Sequence, residues 1–173
     1  TRYWRDWSSD VCSSDLQRSL SGMSDASWDV RHSTSGYVFT LSKAAISWSS
    51  KKQPTIALSS CESEIMEASE GAKEAVYLDR FVTELGFKTS DEAVHLSLDN
   101  KVAIDSSYNP ENHSRTKHID RRHYFIRELV EEGRLVVPFV STVDNHADFF
   151  TKPLRPKAVP VSWNRCFQQL QSF

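Results

Sequence analysis

Four acidic residues are candidates for chemistry in this chain: Asp25, Glu64, Asp99 and Asp148. They sit in Ser24-Asp25-Ala26, Glu62-Ser63-Glu64-Ile65, Leu98-Asp99-Asn100 and Ala147-Asp148-Phe149. Three of them fall where an apolar or β-type run gives way to a turn or helix, and Glu64 falls in the first turn of a predicted helix. α/β proteins gather functional groups at such element ends. Hard cations such as Mg²⁺ prefer carboxylate oxygens and take only a few of them from the protein. Four converging carboxylates could therefore hold two Mg²⁺ ions roughly 3.5–4 Å apart, an arrangement used for phosphoryl-transfer hydrolysis. Mn²⁺ could substitute. Any one of these acids alone would read as a solvated surface group.

The bulk properties bound the setting. A length of 173 residues suits one domain with a real core. Hydrophobic residues at 39% and charged residues at 25% fit a soluble globular chain rather than a disordered one. A net charge of −2 gives no whole-chain attraction for nucleic acid, so any phosphate-binding surface must be local. No apolar run approaches the roughly 20 residues of a membrane helix. Cys12, Cys61 and Cys166 offer neither a zinc spacing nor a disulfide framework, which fits a reducing, intracellular setting. Cys61 reads as adventitious, because no histidine is placed by sequence to activate it.

The elements that must position the acids can be read in order. Residues 1–19 stand apart: Trp7-Ser8-Ser9-Asp10-Val11 is nearly repeated as Cys12-Ser13-Ser14-Asp15-Leu16. This leader resembles a translated sequencing-adapter peptide, with a natural disordered tail as the alternative, and it is set aside. The domain is expected over residues 20–155, followed by a tail over 156–173. Tyr37–Leu41 and Ala45–Ser49 read as two strands of a hairpin linked by Ser42-Lys43-Ala44. Lys51-Lys52-Gln53-Pro54 reads as an exposed loop. Residues Cys61 to Leu85 predict a helix, with Ser59 and Glu62 as a capping box. Its apolar face is Ile65, Ala68, Ala72, Ala75, Val76, Leu78, Val82 and Leu85, and Gly86 stops it. Val94–Leu98 predicts a strand and Lys101–Tyr108 a short helix. Thr116–Glu131 predicts a second long helix, burying Ile119, Ile126, Leu129 and Val130. Leu135–Val140 predicts a last strand, at an edge because Pro138 lacks a ladder donor. A short helix through Asp148 follows. The total is a mixed α/β layer protein.

Four blocks carry a family resemblance. They are Arg31-His32-Ser33-Thr34-Ser35-Gly36-Tyr37-Val38-Phe39, Ile46-Ser47-Trp48-Ser49-Ser50-Lys51-Lys52-Gln53-Pro54, His113-Ser114-Arg115-Thr116-Lys117-His118-Ile119-Asp120 and Ala147-Asp148-Phe149-Phe150-Thr151-Lys152-Pro153-Leu154. In that order they resemble the ribonuclease H domain of the Pol polyprotein of copia-type (Ty1/copia) LTR retrotransposons. The resemblance implies a ribonuclease H-like fold, a five-stranded mixed sheet flanked by helices. It implies hydrolysis of the RNA strand of RNA–DNA hybrids during reverse transcription, beside a reverse transcriptase domain. A setting in cytoplasmic virus-like particles and the nucleus follows from it. Asp25 becomes the first-strand carboxylate, Glu64 the helix carboxylate, Asp99 the acid after the fourth strand and Asp148 the acid starting the last helix.

Departures from the family pattern leave an alternative, a catalytically inactive relic acting at most as a nucleic-acid or polymerase packing module. The stretch from Asp25 to Arg31 is short, Glu67 stands where a small residue is common, and His146 stands where an apolar one is common. His146 is a candidate for helping product leave, set against a packed or surface histidine. Arg115, Lys117, His118 and Arg122, in a stripe that also holds Arg121, His123 and Arg127, are candidates for sequence-independent phosphate contacts, as are Lys51 and Lys52. The competing reading is a solvated helix face. Trp48 and Tyr37 read as core or sheet-face aromatics rather than base-stacking platforms. A retroviral-type integrase is set aside, because its acids run Asp, Asp, Glu.

Overall fold

The computed structural model of the chain describes residues 19–29, 31–42, 44–87, 92–108 and 120–152. The 156–173 tail, all of the leader but its last residue and the predicted helical start at Thr116 lie outside them. So do Arg115, Lys117 and His118.

The β-forming runs pair as a meander. β1 (Leu20–Ser27), β2 (Thr34–Leu41) and β3 (Ala44–Lys52) are antiparallel in sequence order. Ser42 turns the β2–β3 link with a left-handed backbone, φ 51°. β4 (Val94–Ser97) lies parallel to the other side of β1, and β5 (Leu135–Val136) lies parallel to β4. The result is the expected five-stranded mixed sheet, in the order β3-β2-β1-β4-β5. β1 is thus central. A parallel neighbour requires a crossover, and α1 (Ser60–Glu84) provides the one that leads to β4.

The start of α1 follows from its cap. Ser59 Oγ accepts the Glu62 N–H at 3.1 Å. The Glu62 carboxylate reaches back to the Leu58 N–H at 2.6 Å, one residue short of the reciprocal capping-box partner. Ile65, Ala68, Ala72, Ala75 and Leu78 are buried in one core with Phe39, Leu96 and Leu98, and Val82 further along the helix is also buried. Gly86, at φ 73°, permits the turn that ends the helix. α2 (Lys101–Tyr108) has the predicted bounds, and α3 (Asp120–Glu131) buries Ile126 and Leu129. α4 (Asp148–Thr151) rests on β1 and β2. No helix among the described residues is long and apolar enough to cross a membrane.

Several expectations are corrected. Asp25 lies in the first strand, as the resemblance implies, but inside β1 rather than where the strand gives way to a turn, because the β1–β2 ladder continues to Ser27 and Thr34. Lys51 and Lys52 belong to β3 rather than to a loop, paired with Ser35 and Thr34. Leu85 is exposed, because it is the C-cap residue rather than part of the packed face. β5 stops at Val136 because the Val137 N–H is taken by Tyr108 Oη at 3.1 Å and Pro138 has no N–H to give. Contact with β4 resumes at the Leu98–Phe139 bridge. The edge position expected for this segment holds.

Gly36, opposite Asp25 in the ladder, is where α4 touches the sheet. A Cβ there would lie 2.7 Å from Phe150 Cβ and 2.9 Å from Thr151 Cγ2. Gly36→Ala is expected to destabilise the domain by about 1–3 kcal/mol, the usual cost of overpacking. Urea unfolding followed by circular dichroism checks this.

Candidate metal centre

Each acid of the centre arrives on a differently built support. Asp25 is carried by the central strand. Glu64 projects from the second turn of α1, four residues past Ser60. Asp99 is pinned from both sides. Leu98 before it exchanges backbone bonds with Pro138 and Val140, at 3.1 and 2.8 Å. Asn100 after it caps α2, its Oδ1 accepting the Val102 and Ala103 N–H groups at 3.0 and 3.2 Å. One carboxylate oxygen from each of Asp25, Glu64 and Asp99 lies within 4.8 Å of the others.

Burial and mutual repulsion dominate the electrostatics of this trio. Burial, then the charges of Asp25 and Asp99, push the Glu64 carboxyl up to about 9. Asp25 is also raised, chiefly by burial and further by Asp148 and Asp99. A hydrogen bond donated by Thr151 Oγ1 to Asp25 Oδ2 and the charge of Lys152 pull the other way. Glu64 accepts the Ala26 N–H, yet its Oε2 is buried with no hydrogen-bond partner. An unsatisfied buried carboxylate oxygen is costly, and a cation would satisfy it. Three hard oxygen donors with one orphaned atom fit Mg²⁺ or Mn²⁺.

Asp148 is not brought into that group. It begins α4, half-buried, and its Oδ1 accepts an ion-paired hydrogen bond from Lys152 Nζ. His146 is half-buried, its ring parallel to Phe149 with centroids 6.4 Å apart. Burial lowers its pKa. Lys51, Lys52 and Arg122 do come together, around a cavity of about 490 Å³ lined by β2, β3, α1 and α3. His123 and Arg127 leave the expected basic stripe, because both are buried. Trp48 is 54% exposed on a sheet face, while Tyr37 packs edge-on against Phe39 at 5.7 Å. The Cys61 thiol is pushed up by burial, which disfavours a thiolate nucleophile.

Sequence reasoning missed Asn145, Thr151 and Lys152. Buried Asn145 donates from Nδ2 to the Ser24 carbonyl at 3.1 Å and accepts the Ala147 N–H at 3.1 Å. It thereby ties the start of α4 to β1. Thr151 and Lys152 stand within one helical turn of Asp148 in the same sequence block, and that spacing was the available signal.

The retrovirus-related Pol polyprotein from transposon TNT 1-94 of Nicotiana tabacum is 43% identical over 156 residues, 87% of this chain and 12% of that protein. The N-terminal RNase H domain of a Mycobacterium tuberculosis protein superposes with a TM-score of 0.57 at 12% identity, over 89% of this chain and 97% of that one. The chain belongs to the ribonuclease H domains of copia-type retrotransposon Pol polyproteins. It spans about an eighth of the length of the tobacco relative. An RNase H1 solved in complex with an RNA/DNA hybrid also shares the fold of this ribonuclease H domain, with a TM-score of 0.51 at 16% identity over 75% of this chain and 91% of that one. No protein-family model matches the chain.

Glu64 ties the stability of the ribonuclease H domain to pH. Its carboxyl is raised from 4.5 to about 9, so the folded state holds a proton that the unfolded state releases. Without metal, this contribution is complete below 4.5 and is lost as pH rises towards about 9. Thermal melts in EDTA should therefore fall across that window, and Glu64→Gln should flatten the fall. Added Mg²⁺ should restore stability most at the alkaline end, where it does not compete with the proton.

Proposed function

We propose that this domain hydrolyses the RNA strand of RNA–DNA hybrids endonucleolytically, during retrotransposon reverse transcription. The observation that carries the reading is the convergence of Asp25, Glu64 and Asp99 with an unsatisfied buried Glu64 oxygen, on a ribonuclease H-like sheet. Asp25, Glu64 and Asp99 would hold divalent cations, with Asp148 completing the set once freed from Lys152. Bound Mg²⁺ or Mn²⁺ supplies activation of the attacking water and charge stabilisation at the departing 3′ oxygen.

The chain's own residues supply positioning. Thr151 fixes the Asp25 carboxylate through its hydrogen bond. Lys152 lies close enough to Asp25, Asp148 and Asp99 for all three to raise its pKa, against the lowering by burial. Hydrolysis breaks the bond from phosphorus to the 3′ oxygen and forms one to the water oxygen, leaving a 3′ hydroxyl and a 5′ phosphate. Lys51, Lys52 and Arg122 would contact the phosphates of the hybrid, and Arg115, Lys117 and His118 extend that proposal. The partners are the hybrid and the reverse transcriptase domain of the same polyprotein. The setting is the cytoplasmic virus-like particle and the nucleus.

The deciding experiment is Mg²⁺-dependent cleavage of an RNA–DNA hybrid by the chain, with Asp99→Asn in parallel. Losing even an outer-shell partner of a metal ligand costs about 10–100-fold, so losing a ligand should cost at least about 100-fold. Wild-type cleavage with an unimpaired mutant would remove Asp99 from the centre. A folded wild type that cuts nothing would favour the relic, or a domain that needs its reverse transcriptase neighbour.

Phosphate contacts have a separate signature. Lys51→Ala and Arg122→Ala should each reduce the slope of log binding constant against log salt by about 1. Fluorescence anisotropy with a labelled hybrid in EDTA measures this without cleavage.

A further inference from the structure

The acidic centre is served by a cation of the chain itself. Lys152 follows α4 directly, and its ammonium donates to Asp148 Oδ1 in an ion pair. The backbone fixes where that side chain starts. The Lys152 N–H donates to the Asp148 carbonyl at 3.1 Å, and the Thr151 hydroxyl just before it bonds Asp25 Oδ2. Lys152 therefore springs from the point where the end of α4 meets the central strand. The charges of Asp25, Asp148 and Asp99 all act on it and raise its pKa against the lowering by burial, so it is an ammonium at neutral pH. Among the charges that act most on Asp25, Lys152 is the positive one. The charges that act most on Glu64 are all negative.

Two features separate this lysine from a support of the fold. Its side chain is 46% exposed and that of Asp148 27%, so ions from solvent reach the pair. An ion pair so exposed adds little to stability. Its charge, by contrast, lies in the field of three acids whose oxygens suit a divalent cation. A unit charge about 6 Å from a divalent ion weakens its binding by about tenfold, even with the full screening of water.

We propose that Lys152 is a built-in competitor at the metal centre: its ammonium offsets part of the carboxylate charge when no metal is bound, and so lowers the affinity for a divalent cation. The affinity is then set by Lys152 as well as by the ligands. This role rests on the metal-centre reading given above.

The test is calorimetric titration of the whole chain with Mn²⁺, without substrate. Lys152→Met should bind Mn²⁺ at least about tenfold more tightly than the wild type. Lys152→Arg keeps the charge and should remain close to the wild type. Lys73→Met removes the same charge from an exposed pair with Glu70 on α1 and should leave the affinity unchanged. Thermal melts supply a second readout. In EDTA, Lys152→Met should melt below the wild type, because less of the carboxylate charge is offset, and Mn²⁺ should raise its melting temperature by more. A lysine that only supports the fold would lower the melts with and without Mn²⁺ alike and leave the Mn²⁺ affinity unchanged, and that result would overturn the proposal. Equal tightening by Lys73→Met would overturn it too, as an effect of whole-chain charge. Asp99→Asn tells the two possible failures apart. Mn²⁺ binding that survives Asp99→Asn, or no binding by the wild type, removes the metal centre and this role with it. Binding that needs Asp99 but ignores Lys152 removes this role alone.

Discussion

Three carboxylates forced within 4.8 Å of one another are the constraint on which the rest of this domain turns. Two like charges at that separation repel by about 3 kcal/mol even at an effective dielectric constant near 20. Nothing in the trio itself favours such proximity. It persists because each acid is held by structure that is stable for other reasons. Asp25 rides on a strand paired on both sides. Glu64 rides on a helix anchored by a cap and a long buried face. Asp99 sits between a bridged residue and a helix cap. Uptake of a proton by Glu64 is the relief available without a cation, and a divalent ion would offer a stronger one.

The far side of Asp25 depends on one small residue. Gly36 lets α4 approach the sheet closely enough for Thr151 to reach the Asp25 carboxylate. Asn145 secures the same approach from the other end of the loop. Lys152 then offsets part of the negative charge and pairs with Asp148. The short α4 segment therefore delivers an acid, a hydrogen-bond donor and a counter-charge together. These parts are adjacent in sequence but meet Asp25 across more than 120 residues of chain.

The cavity under β3 has a different origin. Ser47, Ser49 and Lys51 line the α1 side of the edge strand, where large apolar side chains would have closed the space. A polar lattice of Gln53, Ser35, Ser63 and Glu67 stands there in place of an apolar core. Glu67 is buried on the same helix as Ser63, Glu64 and Ser69, and desolvation raises its pKa to about 7.

Much of this was legible along the chain. Period and cap determined α1 to within a residue, because a helix face and its N-cap are local patterns. Alternation and β-forming residues located β2, β3 and β4, Pro138 located an edge, and β1 was legible only through the family resemblance. The ordered acids, inside blocks matching one family, determined the candidate chemistry. Tertiary structure alone decided which acids converge. Asp25, Glu64 and Asp99 meet because β1 and β4 are sheet neighbours with α1 packed across them, whereas Asp148 is diverted to Lys152. It alone decided that Lys51 and Lys52 extend β3, that His123 and Arg127 turn inward, and that Gln53 and Glu67 are buried with oxygens to spare. Sequence spacing reports which residues share an element's face. Which faces then meet depends on sheet order and ladder register, set by contacts between residues far apart in the chain.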